Sequence, residues 1–326
     1  PPAWIVSETV DSIRAKEGDA PAKFGNALLR KLSEHAHHWR ELPFPGEKDA
    51  AAGAAWASLP PWLWQKLVAE RGLEWAKSYA LASLERPSLW ISARDSSFKP
   101  DWADAGPIKG SWKAKEGGFV PGKEGFADGQ FIVQDISSQT LLNEIAEKME
   151  SENLKPLSAL DLCSAPGGKA VGLSWRGFEV LASDRSEERL KLLRATLSRV
   201  PTASSVSIRN ISRSKPEPQF SLVWVDAPCS GSGILRRHPD VRWLRKPDQL
   251  GSLTALQADV LRQGWEWVRP GGYLVYSVCS VLKEEGEAVF KSVGLKSQEL
   301  KTWSLAPHEE PKGDGFWAKL VQKPLS

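Results

Sequence analysis

Two cysteines stand at the ends of short apolar runs. Val225-Asp226-Ala227-Pro228-Cys229-Ser230-Gly231-Ser232-Gly233 follows one run, and Tyr276-Ser277-Val278-Cys279-Ser280 follows another. A thiol is a strong nucleophile that needs only a lowered pKa to act. A lone cysteine in an apolar strand is more often an inert buried group. Two thiols at strand ends beside a ligand loop reverse that expectation. The loop is Asp161-Leu162-Cys163-Ser164-Ala165-Pro166-Gly167-Gly168-Lys169, which leaves a strand and enters a helix. Its paired glycines let the backbone come close to a ligand, and the helix start offers free N–H groups. The spacing is neither GxGxxG nor GxxxxGK[ST], which argues against a generic nucleotide-phosphate site. Asp184 ends the next strand, where a carboxylate can accept both hydroxyls of a ribose. A Gly-rich turn followed by a helix-capping Asp is the plainer alternative for loop and acid.

Between the cysteines lies Leu235-Arg236-Arg237-His238-Pro239-Asp240-Val241-Arg242-Trp243-Leu244-Arg245-Lys246, with five Lys/Arg against one Asp. A charge run is usually a solvated face. One placed directly after a reactive loop reads as a patch for nucleic-acid phosphates, with Arg236, Arg237, His238, Arg242, Arg245 and Lys246 as its contacts.

These residues need a scaffold that brings strand ends to one edge. From about residue 131 the chain alternates apolar runs with helical stretches. Strands are expected at 159–162, 178–182, 205–208, 222–225 and 273–276, with helices such as Glu187 to Arg199 and Leu253 to Trp267 between them. Such alternation predicts an α/β fold, a mostly parallel sheet with helices on both faces, binding its ligands beyond the carboxyl ends of the strands. Residues 1 to about 60 read as helical, with apolar positions at helical spacing in 24–32 and a loop at Pro43, Pro45 and Gly46. Two further helices are expected from Pro61 and near Glu74, then a strand at 89–92, then loops with short strands over 98–130. The expected division is therefore 1–60 helical, 61–130 a small α+β subdomain and 131–326 the catalytic domain.

The chain has 326 residues, enough for two or three domains, and its net charge of +3 does not by itself argue for nucleic acid. Three cysteines do not form a disulfide framework, which points to a reducing cytoplasm, and none has zinc-ligand spacing. No apolar run is long enough to span a bilayer and no signal peptide is visible, so no membrane is expected. Of 16 tryptophans, nine precede residue 150. Core packing is the commoner use for them, ahead of stacking on RNA bases.

The motifs resemble those of the RNA (cytosine-5)-methyltransferases. The bacterial 16S ribosomal RNA branch, of the RsmB, Fmu or Sun type with a NusB-like N-terminal domain, is the most similar. The carrying segments are Gly125-Phe126-Ala127-Asp128-Gly129-Gln130 with Val133-Gln134-Asp135, then 161–169, 226–233, 236–245 and 279–287, and Gly313-Asp314-Gly315-Phe316-Trp317-Ala318-Lys319-Leu320. Residues 24–32 resemble the last helix of the NusB-like domain, so 1–60 would be a remnant of it and 61–130 an RNA-binding subdomain.

The resemblance implies a Rossmann-like, seven-stranded methyltransferase sheet and S-adenosylmethionine as cofactor. Cys163, Ser164, Ala165, Pro166, Gly167, Gly168, Lys169, Asp184, Arg185, Asn210 and Asp226 would hold that cofactor. It also implies an RNA substrate, ribosomal RNA in particular, and a monomeric cytoplasmic enzyme. Cys279 would attack carbon 6 of cytosine, Cys229 would release the product, and Asp226 and Lys169 would hold the base. Asn210 stands where the family usually has Asp; Ala170, Val278 and Gly286 replace Thr, Thr and Asn. Two alternatives stay open: a DNA cytosine-5 methyltransferase, which attacks with the Pro-Cys thiol, here Cys229, and a catalytically idle RNA-binding or ribosome-assembly protein.

Overall fold

The computed structural model describes residues 2–35, 43–46, 49–95, 97–152, 157–200, 205–211 and 214–325. It divides into two compact units, Pro1–Pro61 and Trp62–Ser326. In the first, α1 (Pro2–Glu17) and α2 (Asp19–Glu34) pack on each other across a one-residue turn at Gly18. A third helix, α3 (Ala50–Trp56), starts at Asp49, whose carboxylate accepts the Ala51 and Ala52 N–H groups. That is the usual way to satisfy orphan donors at a helix start.

The second unit begins within α4 (Pro61–Arg71), one residue into the helix, and continues into α5 (Leu73–Leu84). A four-stranded antiparallel sheet follows, made of β1 (Trp90–Ala93), β2 (Ala103–Ala105), β3 (Ser111–Ala114) and β4 (Phe131–Val133) in the order β2-β3-β1-β4. Ile91 pairs with Trp112 on one side and Val133 on the other. Ile91, Ala93 and Phe131 form its small core, roofed by Phe98, Trp102, Trp112 and Phe126.

The expected α/β sheet occupies the rest of the unit. Helix α6 (Ile136–Ser151) is capped by Asp135 and leads into β5 (Ser158–Leu162), α7 (Gly168–Ser174), β6 (Glu179–Ser183), α8 (Glu187–Arg199), β7 (Val206–Ile208) and β8 (Phe220–Asp226). The short α9 (Val241–Leu244), then α10 (Gln249–Trp267), β9 (Val268–Val278), α11 (Val289–Val293), β10 (Gln298–Leu305) and β11 (Phe316–Gln322) complete it. The seven strands run β10-β11-β9-β8-β5-β6-β7, with the last five in parallel and the first two joined antiparallel.

Side chains alternate between the faces, as a pleated strand requires. Ala159, Leu222, Trp224 and Val275 meet Leu142, Ile145 and Leu193 from α6 and α8 on one face. Leu160, Val223, Val225 and Leu274 meet Leu261, Trp267 and Phe290 from α10 and α11 on the other. The chain winds outward from β5 through β6 to β7, then returns to β8 on the other flank. This leaves a crevice beyond the carboxyl ends of β5 and β8, the position where open α/β sheets take their ligands.

Candidate active site

The loop after β5 and the loop after β8 meet across that crevice. Lys169 Nζ lies 2.6 Å from Asp226 Oδ2, and Ser277 Oγ donates to Asp226 Oδ1 at 2.8 Å. Ser277 in turn accepts the Trp224 indole N–H at 2.9 Å. Burial alone would lower the Lys169 pKa, but Asp226, with Asp161 and Cys279 behind it, more than offsets this and holds it above the ordinary value. Asp161 sits beneath this pair, fully buried, with its Oδ2 accepting from Ser164 Oγ at 2.7 Å. Burial pushes its carboxyl up to about 7, with Asp226 adding to the rise while Ser164 and Lys169 oppose it.

The two thiols face each other, with Cys229 Sγ 3.0 Å from Cys279 Sγ, and both are free. Cys229 is buried and Cys279 half-buried. The hydrogen bond to Cys279 and then burial push the Cys229 thiol well above its ordinary range.

What holds these loops is a residue absent from the expected list. Glu285 is fully buried; its Oε1 accepts from Ser230 N at 2.7 Å and Gln257 Nε2 at 3.0 Å, while Oε2 accepts from the Ser230 hydroxyl and from Ser280 Oγ at 2.6 Å. Each cysteine is thus followed by a serine tied to one carboxylate. Gly233 closes the frame: its N–H reaches Cys279 O at 3.0 Å and its carbonyl receives Gly315 N at 2.9 Å. A Cβ at Gly233 would come 1.9 Å from Gly315 O, so backbone touches backbone there. Helices α4 and α5 brace the same loops, through Tyr79 Oη on Ser232 O, Arg71 on Val281 O at 3.1 Å and Glu70 accepting Lys283 N at 2.9 Å.

In the loop after β5, Cys163 takes a left-handed φ of 61°, unusual for a residue with a side chain. Burial pushes its thiol up to about 12, helped by Asp184, Asp226 and Asp161. Gly167 has φ 111°, a conformation that requires glycine, and its missing Cβ makes room for Leu193. Ser164 and Ala165 are buried, Pro166 is exposed, and Gly168 and Lys169 are half-buried. Asp184 is buried at the end of β6, where Oδ1 accepts Ser186 N and Oδ2 accepts Arg189 Nε at 2.8 Å. Arg189 also donates to Ala165 O at 2.7 Å, tying the acid to the loop. It was not expected from the sequence, although it lies only five residues beyond Asp184. Arg185 and Asn210 stand together at the rim, with Asn210 Nδ2 3.3 Å from Arg185 O.

The basic segment differs from its expected description as a phosphate patch. Arg236 is buried and donates to Lys312 O and Gly313 O. Arg237 pairs with Asp135 and Asp314, the latter at 2.7 Å. Arg242 is buried and donates to Ser83 O at 3.0 Å, and Arg245 to Ser230 O at 3.0 Å and Cys229 O at 3.4 Å. Four guanidinium groups therefore serve internal acceptors, because these loops leave carbonyls that no regular element satisfies. Of the six expected phosphate contacts, His238 and Lys246 are the exposed ones.

The family described as 16S rRNA methyltransferase RsmB/F matches residues 149–320. Ribosomal RNA small subunit methyltransferase B of Shigella flexneri is 32% identical over 291 residues, covering 81% of this chain and 66% of the relative. The same-named protein of Shigella boydii serotype 4 is 32% identical over 350 residues, covering 99% of this chain and 78% of the relative. Among solved structures, a methyltransferase homolog protein from Pyrococcus horikoshii superposes with a TM-score of 0.68 at 21% identity, covering 85% of this chain and all of that one. NSun6 from Pyrococcus horikoshii shares the fold with a TM-score of 0.68 at 15% identity, covering 82% of this chain and 98% of that one. No described helix is long and apolar enough to cross a membrane.

Proposed function

The chain belongs to the 16S rRNA methyltransferase RsmB/F family, and from that premise we propose that it methylates carbon 5 of a cytosine in 16S ribosomal RNA, with S-adenosylmethionine as donor. Cys279 is the covalent nucleophile in this reading and Cys229 assists release. The observation that carries it is the pair of free thiols 3.0 Å apart at the strand ends beside the Lys169–Asp226 pair.

The residues around the loop suit a nucleoside. The buried Asp184 carboxylate would take the ribose hydroxyls, with its Arg189 partner half exposed and able to swing aside. Cys163 to Gly168 would back the cofactor, and Arg185 and Asn210 would border its adenine. When bound, S-adenosylmethionine supplies an electrophilic methyl group.

Carbon 5 of cytosine is a poor nucleophile. The Cys279 thiolate adds to carbon 6, forming the S–C6 bond and pushing the ring's π electrons toward N3 and the carbonyl. Lys169, hydrogen-bonded to Asp226, is the proton source for that edge. Carbon 5 of the resulting enamine is then methylated. Loss of the carbon 5 proton to solvent breaks the C6–S bond and returns the thiolate. Cys229 S–H donates to the departing sulfur as its negative charge grows. This is covalent catalysis that divides one difficult step into easier ones, on a base taken out of its stack.

Tritium from labelled donor should enter unmodified 16S ribosomal RNA and not DNA. Cys279→Ala should form no adduct and no product. Cys229→Ala should stay bonded to methylated RNA as a denaturant-resistant, RNase-sensitive band. A trapped band in Cys279→Ala instead would reverse the two roles.

A further inference from the structure

Within Trp62–Ser326 every tryptophan is described, and all are buried or half-buried except one. Trp243 is 61% exposed, and its neighbour Leu244 is 66% exposed. An indole left in water forgoes the largest apolar burial of any side chain, so its placement calls for an occupant. The segment carrying it is held unusually firmly. Arg236 and Arg237 fasten its start to residues 312–314 and Asp135, Arg242 fastens α9 to Ser83, and Arg245 grips the Ser230 and Cys229 carbonyls. Trp243 thus lies two residues from the side chain that touches the backbone of the catalytic loop. His238 and Lys246, both exposed, flank it with groups that favour an anionic partner.

We propose that Trp243, with Leu244 at its edge, stacks on the nucleobase next to the target cytosine in the bound RNA. The inference rests on the reading that the chain draws a base out of RNA. Extraction leaves the neighbouring base without a stacking partner, and a rigid aromatic or apolar side chain beside the pocket replaces it. A π-face accepts any base, so the contact adds affinity and holds the gap open without reading sequence. The four inward arginines hold the segment that carries the indole, which lowers the ordering cost of the contact.

The test uses the full chain and an unmodified 16S ribosomal RNA transcript. Trp243→Ala should raise the RNA Kd at least tenfold, equivalent to about 1.4 kcal/mol. It should leave the salt dependence of binding and the affinity for S-adenosylmethionine unchanged, since no phosphate or cofactor contact is lost. Trp243→Phe should recover most of the loss. Wild-type RNA affinity in Trp243→Ala would overturn the proposal and favour a protein contact for this surface. So would a flattened salt slope, or equal damage in the Ala and Phe variants. Tritium transfer to the same transcript, run in parallel, separates the two readings: methylated RNA with unchanged affinity in Trp243→Ala defeats stacking alone, whereas no methylation of the RNA by the wild-type chain defeats both.

Discussion

Replacing Glu285 by alanine tests whether one buried carboxylate sets the geometry of both thiol loops. Its two oxygens take hydrogen bonds from Ser230 N, Gln257 Nε2 and the hydroxyls of Ser230 and Ser280. Among the described residues no Lys or Arg forms a salt bridge with it, so these neutral donors are what offset its desolvation. Truncation to alanine leaves the Ser230 N–H without an acceptor, at roughly 1–3 kcal/mol, and opens a cavity that adds a comparable amount. Relief of carboxylate burial works the other way, and the serine hydroxyls can turn to other acceptors, as Ser280 already lies 2.9 Å from Ser232 Oγ. The net expectation is a loss of about 3 kcal/mol. Glu285→Gln keeps the shape and the acceptor facing Ser230 N and Gln257, while the serine hydroxyls can rotate to accept from its amide. Its cost should stay within about 1 kcal/mol. Displacement of a reacting group by about 1 Å can slow a reaction roughly 100-fold, so the alanine variant should form the RNA adduct about that much more slowly, with cofactor affinity preserved. The assays are denaturant unfolding and the rate of band formation in a Cys229→Ala background. Wild-type stability and rate in Glu285→Ala would refute the reasoning. Equal damage in Glu285→Gln would show that charge, not hydrogen-bond geometry, is what matters.

Asp184→Ala should weaken S-adenosylmethionine binding at least tenfold, about 1.4 kcal/mol, by calorimetry; unchanged affinity would remove Asp184 from the site. Arg236→Glu should destabilise the fold by about 3–5 kcal/mol, because it buries an acid against the Lys312 and Gly313 carbonyls; a stable variant with only a flattened RNA salt slope would restore the phosphate-patch description. Burial holds the Asp161 carboxyl up to about 7 against an ordinary 3.8, so between those values the folded chain keeps a proton that the unfolded chain has released. Wild-type stability therefore falls as pH rises through this window, and Asp161→Asn, which cannot titrate, should gain on it from pH 5 to pH 8 by at most about 2.6 kcal/mol. Parallel pH curves for the two proteins would contradict that cause.

The parallel strands were legible because burial on both faces makes them nearly continuous apolar runs bounded by turns. All five expected strands appear, displaced by a few residues at their ends. β10 was not legible: it is an edge strand with mostly exposed side chains and only Trp303 buried, so no period marks it. The loops carrying Lys169, Asp226, Cys229 and Cys279 could be found because each follows a strand. The direction of the arginines in 236–245 could not, since an arginine aimed at a carbonyl reads the same as one aimed at water. Their acceptors come from residues 83, 135 and 312–314, far away in sequence, and from the cysteine loop at 229–230. Glu285 was hidden for the same reason. In Glu284-Glu285-Gly286-Glu287 the outer acids pair with Lys66 and Lys291, as a solvated run would, while the middle one turns inward. Gly286, where the resembled family has Asn, has a local cause: a Cβ there would lie 2.7 Å from the Trp317 ring.

The contact of Gly233 with Gly315 has a consequence for the time at which the two thiol loops can be aligned. The strut beneath the first thiol loop comes from the approach to β11, which follows β9 and β10 in the chain and lies between them in the sheet. A chain being synthesised therefore displays both cysteines before the frame that aligns them exists. Translation proceeds from the N-terminus, so the Gly233–Gly315 contact can form only after residues 313–320 have been made. A translation product that stops short of Gly313 would carry every residue proposed for the chemistry and lack that strut.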